Sequence, residues 1–247
     1  MSIETFGSGE RLRIAADLLG KRFVSRELVL LPVPTTRDKT HISGTEIPLS
    51  EVAQQIEGGA LCVGYGLPSD FATEVKRLSA EVLDLSEDEN YLKDNAWLTA
   101  LGAVGYILTT DGCAVSDMRV GIVGYGRIGE LLVRILSFLG AKVRVYSTSP
   151  EKRRTLGALG VDSSPIDGLF SDADGTHILI NTAPTDLSPY VFGRGYKRIV
   201  ELASGKNFEG VAGVEYLPSL PEKMFPISAG QSYYKAVVRH IQGGGGL

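Results

Sequence analysis

The stretch Arg119-Val120-Gly121-Ile122-Val123-Gly124-Tyr125-Gly126-Arg127-Ile128-Gly129 sets glycines at G-x-G-x-x-G directly after a short apolar run. Each glycine has a chemical use. Gly124 permits a tight turn. Gly126 lets backbone approach a pyrophosphate with no side chain between. Gly129 lets a helix pack close to a sheet. A helix that starts at such a turn offers N–H groups and the positive end of its dipole to phosphate. Tyr125, Arg127 and Ile128 lie in the same loop and join its candidate contacts. An α/β turn whose glycines serve only packing has the same letters, so the surrounding elements must decide.

Those elements agree with a dinucleotide-binding unit. Ile128, Leu131, Leu132, Ile135, Leu136 and Leu139 recur at helical spacing after the motif. Lys142-Val143-Arg144-Val145-Tyr146 then reads as a second strand. A site for NAD usually has an Asp or Glu about 20 residues on, at the end of that strand, for the ribose 2′-hydroxyl. Here the strand runs into Ser147-Thr148-Ser149-Pro150, with no acid, and Lys152, Arg153 and Arg154 follow. Hydroxyls and guanidinium groups suit a 2′-phosphate, because Arg grips phosphate oxygens with a fork. The pattern predicts NADP, with NAD as the alternative. The same basic run also reads as a solvated helix face.

The chain has 247 residues, 43% apolar and 22% charged, with net charge −4. That is an ordinary soluble composition, and no basic run suggests a nucleic-acid surface. Cys62 and Cys113 make neither a disulfide framework nor a metal cluster and read as small core residues. Met1-Ser2-Ile3-Glu4 lacks the basic and apolar regions of a secretory leader. The longest apolar run, Ala96 to Leu108, is short for a bilayer span of about 20 residues. A cytoplasmic protein without metal is expected.

The pattern divides near residue 92. Strands are expected at Met1–Phe6, Glu27–Pro32, Ala60–Gly64 and Glu81–Leu85, and helices at Arg11–Leu19, Glu51–Ile56 and Phe71–Leu78. Asn90–Leu108 reads as a long linking helix, His177–Asn181 and Arg198–Leu202 as further strands, and Ala229–Ile241 as a last helix. Gly243–Gly246 reads as a flexible end. The fold class is α/β: a Rossmann-type doubly wound parallel sheet over 93–228, plus a smaller flavodoxin-like α/β domain over 1–92 completed by a helix at 229–242. In such sheets ligands lie beyond the carboxyl ends of the strands. Those ends are Asn181-Thr182-Ala183-Pro184 and Ala203-Ser204-Gly205 in the larger domain. In the smaller they are Pro32 to Asp38 and Gly64 to Pro68. A cleft lined by Pro34, Thr35, Thr36, Arg37, Gly64, Tyr65 and Gly66 suits a small carboxylate. Arg37 is either its partner or half of a surface pair with Asp38.

Several segments together resemble the first of the two subunits of the dipicolinate synthase family, relatives of the NAD(P)-dependent D-2-hydroxyacid dehydrogenases. They are Val29 to Pro34, Asn95 to Gly102, Gly124 to Gly129, Ile180 to Pro184, Glu201 to Ser204, Leu217 to Pro221 and Pro226 to Gly230. The resemblance covers nearly the whole chain. It implies NADP-linked oxidation of a dihydrodipicolinate-type ring, with Asn95 among the substrate contacts. It also implies a homo-oligomer, a place in sporulation, a flavoprotein-like second subunit, and a last helix packed on the first domain. The departures concern the chemistry. Related dehydrogenases carry a catalytic His in Pro-His-x-Ala-Gly, and the dipicolinate synthases a Lys there; this chain has Ile227, which moves no proton. Gly205-Lys206-Asn207-Phe208 replaces the family's Arg-Pro-Gly-Gly, and Leu98 and Leu101 stand for a Pro and a Glu. Arg37, His41 and Lys223 remain as weak catalytic candidates, while His177 and His240 read as structural. Two functions stay open: an oxidoreductase of this type, and a nucleotide-binding sensor or assembly partner on the same fold.

Overall fold

Alternation of side chains along two short strands organises the first half of the chain. Leu28, Leu30, Leu61 and Val63 join one apolar cluster, while Val29, Leu31 and Cys62 join another. Successive strand residues point to opposite faces, so strands apolar at every position must be covered on both sides. The computed structural model describes residues 2–22 and 27–243. Of the glycine-rich end expected at 243–246, all but Gly243 lies outside the described residues.

The chain forms two compact units, one running to Asn95 and resuming at Pro221, the other Ala96–Leu220. The first has a parallel sheet of β1 (Ile3–Thr5), β2 (Leu28–Leu30), β3 (Leu61–Gly64) and β4 (Glu81–Asp84), lying in chain order. Its helices are α1 (Glu10–Arg22), α2 (Leu49–Gln55) and α3 (Ser69–Arg77), with the opening turns of α4 (Glu89–Thr110). The chain returns to this unit through α8 (Leu220–Met224) and α9 (Pro226–Gly243). That return begins earlier than the expected 229, because Glu222 of α8 lies against Gly9 and the N–H of Arg11.

One sheet face is covered by α1 and α9, whose Leu12, Ala15, Leu19, Tyr233, Ala236 and Val237 share a cluster with β2, β3 and Tyr91. The other is covered by α2 and α3 through Val52, Ala53, Phe71 and Val75. Cys62 is buried there, and burial pushes its thiol up to about 12. Cys113, expected in the core, is exposed; it stands in the loop after α4, where no sheet covers it. Polar anchors fix α9: the Tyr233 hydroxyl lies 3.0 Å from the carbonyls of Leu31 and Val63, and Arg239 pairs with Asp88 at 3.0 Å.

The second unit holds a six-stranded parallel sheet in the order β10-β9-β8-β5-β6-β7. Its strands are β5 (Arg119–Val123), β6 (Lys142–Tyr146), β7 (Asp162–Ser164), β8 (Ile178–Asn181), β9 (Ile199–Glu201) and β10 (Val214–Tyr216). The order reverses between β5 and β8, the Rossmann arrangement. Helices α5 (Arg127–Phe138), α6 (Pro150–Ala158) and α7 (Ser188–Val191) connect them. The strands β7 and β10 escape pattern reading because Asp162-Ser163-Ser164 and Val214-Glu215-Tyr216 are short, polar edges. No helix of the described residues is long and apolar enough to cross a membrane.

The crossing of α1 and α9 generates a stability test. A Cβ on Gly230 would lie 2.6 Å from Ile14 Cγ2 and 3.0 Å from the Arg11 carbonyl oxygen. Overpacking of this kind costs about 1–3 kcal/mol. Gly230→Ala should lower the denaturation midpoint accordingly, as measured by urea unfolding.

Candidate functional site

Gly124 follows β5 with a left-handed φ of 92°. The turn then delivers the chain to α5 at so short a range that a Cβ on Gly129 would sit 2.3 Å from the Gly124 carbonyl oxygen. Gly126, the N-cap of α5, has no side chain to cap the first N–H groups. A Cβ built on Gly126 meets nothing within 4 Å, so open space faces the backbone at this residue. An uncapped helix N-terminus beside open space is an anion site in waiting. Arg127 is exposed, and Tyr125 and Ile128 are half-buried at the same turn. Burial raises the Tyr125 hydroxyl above its ordinary range.

The end of β8 lies beside this turn. Thr182 donates its N–H to the Val123 carbonyl at 2.9 Å and its hydroxyl to the same oxygen at 2.8 Å. Asn181 is fully buried, with its amide nitrogen 2.9 Å from the Ala183 carbonyl and its amide oxygen accepting the Ala183 N–H at 3.0 Å. That nitrogen also donates to Glu201, as does the Asn207 amide at 3.1 Å, and the Ala203 N–H reaches the same carboxylate at 2.6 Å. Glu201 is 2% exposed. Burial outweighs these donors and raises its acid above the ordinary carboxylate range. Glu201 and Asn207 were not among the expected site residues. Their signal was a lone carboxylate closing an apolar strand, which has to be satisfied internally. Pro184 and Ser204 are exposed and Ala203 is half-buried.

At the end of β6 the structure gathers the expected hydroxyls and one cation. Ser147 is buried and Thr148 exposed. The Ser149 hydroxyl caps α6 by accepting the Lys152 N–H at 3.2 Å. The Arg153 guanidinium donates to the Ser147 carbonyl, which holds it at the strand end. Lys152 and Arg154 are exposed.

In the first unit several expected contacts prove to be internal. Thr35 is fully buried, donating its hydroxyl to the Pro32 carbonyl at 3.2 Å and accepting the Tyr65 N–H at 2.8 Å. Gly64 is buried where a Cβ would lie 2.5 Å from that hydroxyl. Asp84 accepts the N–H groups of Gly66 and Leu67, each at 2.8 Å, and so fixes the loop after β3. The Thr36 hydroxyl is 3.1 Å from Asp38, and Pro34 and Tyr65 are half-buried. Arg37 is exposed and forms no pair with Asp38, whose carboxylate is taken by the backbone and ring of His41, both at 2.8 Å. Those bonds hold the Asp38 acid well below the usual carboxylate range. Asn95 is half-buried on α4. Lys223 is exposed on α8, and Ile227 is 64% exposed in the first turn of α9. His177 accepts the Arg119 N–H at 3.1 Å, and His240 pairs with Glu81.

Residues 84–188 match the family model described as D-isomer specific 2-hydroxyacid dehydrogenase, NAD binding domain. A dipicolinate synthase chain from Bacillus halodurans is similar in structure at 16% identity, with a TM-score of 0.78 over 97% of each chain. The corresponding dipicolinate synthase chain from Bacillus subtilis matches at 16% identity and a TM-score of 0.79, over 98% of this chain and 95% of that one. A probable cinnamyl alcohol dehydrogenase from Populus deltoides is 34% identical over 87 residues, 32% of this chain and 24% of that protein. This chain thus has an NAD-binding, dehydrogenase-type fold similar to that of the dipicolinate synthase chains, and the domain match supports a nicotinamide cofactor.

The turn separates two roles of glycine. Gly126→Ala should leave the melting temperature unchanged and weaken dinucleotide binding at least about tenfold, since its methyl enters the open space. Gly129→Ala should lower the melting temperature itself. Thermal scanning and calorimetric titration on the two variants check both outcomes.

Proposed function

We propose that the second unit binds NADP and that the chain is an oxidoreductase acting on a small carboxylate of the dihydrodipicolinate type. The observation that carries this reading is the uncapped start of α5, with open space at Gly126 beside the order reversal of the sheet. The residues present fit the cofactor. Backbone at Gly124, Tyr125, Gly126, Arg127, Ile128 and Gly129 would hold the pyrophosphate. Thr148, Lys152 and Arg153 would hold the 2′-phosphate, with buried Ser147 holding Arg153 through its carbonyl and no acid at the strand end to repel the ligand. Thr182, Ala183, Pro184, Ala203 and Ser204 would flank the nicotinamide half, with Asn181 buried behind them and engaged with Glu201 and Ala183. When bound, the cofactor supplies a hydride acceptor.

The chain's own residues limit what can follow. Ile227 gives and takes no proton, and a positioned acid or base is worth about 10²–10⁴-fold. Reduction of a 2-keto acid leaves an alkoxide that must be protonated. Aromatisation of a dihydro ring instead releases a proton and needs no strong donor at that point. A second reading, a nucleotide-binding sensor or assembly partner without turnover, draws on the same exposed Ile227.

Absorbance of NADPH on mixing the protein with NADP and freshly generated dihydrodipicolinate tests the choice: growth of the band supports the enzyme, and its absence alongside tight NADP binding supports the second reading. Calorimetry should give tighter binding of NADP than of NAD. Arg153→Ala should weaken NADP by about 1–2 kcal/mol and leave NAD nearly untouched; equal loss for both cofactors would remove Arg153 from the 2′-phosphate site. Pyruvate and glyoxylate should show little turnover with NADPH, and brisk reduction of either would contradict the assignment of ring chemistry.

A further inference from the structure

A buried cation in the first unit has one donor without an acceptor. Arg11 is 4% exposed, and one guanidinium nitrogen donates to the Tyr91 hydroxyl at 2.9 Å, but its Nε–H has no hydrogen-bond partner. A buried donor left unmade costs free energy, and more so on a charged group. Tyr91 does not balance the charge, because burial pushes its hydroxyl up to about 12 and keeps it neutral. Arg11 lines a small cavity with Ser8, Leu12, Pro32, Val33, Glu222 and Tyr233, which has room for about one water.

The cavity lies at the N-terminus of α1, a helix of 13 residues, below the loop Phe6-Gly7-Ser8-Gly9 that follows β1. Gly9 has a φ of 145°, and a Cβ there would sit 2.1 Å from Glu222 Oε1. A carboxylate therefore already rests on the bare backbone of this loop. Its fit is poor. Oε1 stands 3.4 Å from the Arg11 backbone nitrogen, beyond the usual range of about 2.7–3.2 Å, and it leaves Nε unserved. Glu222 belongs to the five-residue α8, beside exposed Lys223 and Met224.

We propose that the Gly7-Ser8-Gly9 loop, the start of α1 and the Arg11 guanidinium form a carboxylate-binding subsite, which the Glu222 side chain holds in place of a ligand. The Arg11 backbone N–H and the positive end of α1 meet the Glu222 carboxylate, and the guanidinium lines the same cavity. A free carboxylate is not tied to α8 and can accept from both the Arg11 backbone N–H and Nε–H. This gives the small carboxylate of the proposed reaction a grip within the first unit and rests on that reading for its biological ligand. The chemistry of the subsite is set by the residues alone.

The test titrates the full chain, without nucleotide, with pyridine-2,6-dicarboxylate, followed by calorimetry and by the Arg11 Nε–H signal in NMR. Glu222→Ala should tighten binding about tenfold, the gain of one charge-assisted contact. The Arg11 signal should shift with the same saturation. Adding Arg11→Met to Glu222→Ala should remove the gain. Binding that leaves the Arg11 signal unmoved, or no gain in Glu222→Ala, overturns the proposal and leaves Glu222 a helix cap and Nε–H a water donor. The NMR arm decides even if Arg11→Met fails to fold. Failure of NADPH formation with intact probe binding would count against the oxidoreductase and not against the subsite.

Discussion

The distance between the first turn of α5 and the carbonyl of Gly124 is the constraint on which the second unit depends. At that distance a methyl group on Gly129 does not fit. The apolar face of α5, Leu132, Val133 and Leu136, packs into the same core as Val120 and Ile122 of β5. Burial draws the helix onto the sheet, and the glycine lets it arrive. The N–H groups of α5 then stand at the strand ends rather than above the sheet face. The Thr182 hydroxyl bonded to β5 and the Glu201 carboxylate clasped by Asn181 and Asn207 hold the neighbouring strand ends to the same level. The candidate site is thus a by-product of close packing at a place where the sheet order reverses.

The first unit is built on a different device. Its loops are fixed by polar groups that reach backbone: buried Thr35 to the loop after β3, half-buried Asp84 to Gly66 and Leu67, buried Tyr233 to the carbonyls of Leu31 and Val63. Groups of the type that bind ligands are here consumed by the fold, because buried backbone donors and acceptors must be paired. What is left over is informative for that reason. Among the described residues Arg11 is a buried cation whose donors are not all matched, and it stands at a helix start under a glycine loop.

Much of this was legible in the residues. The glycine spacing with its flanking strand and helix located the turn at Gly124–Gly129, because that geometry needs particular residue types at fixed positions. Continuous apolar runs located β2, β3, β8 and β9. The edges β7 and β10 were hidden, since edge strands carry polar residues and follow no buried pattern. Glu201 showed only as a carboxylate closing an apolar strand; what was hidden is its pairing with Asn181 and Asn207, which meet it only after folding. Thr35 and Gly64 sat where ligand contacts were expected, but the Thr35 hydroxyl is spent on Pro32 and Tyr65 and Gly64 packs closely beneath it, which loop position along the chain does not reveal. Arg11 fell inside a helical stretch, where a charged residue ordinarily faces water; its burial follows from α9 and Tyr91 closing over it.

The most direct test of the nucleotide site is amide hydrogen exchange on the full chain with and without NADPH. Added cofactor should slow exchange at residues 125–129, at 147–149 and 151–153, and at 182–183, the turn and the two strand ends beside it. Protection confined to other segments, or none at saturating NADPH, would contradict the account.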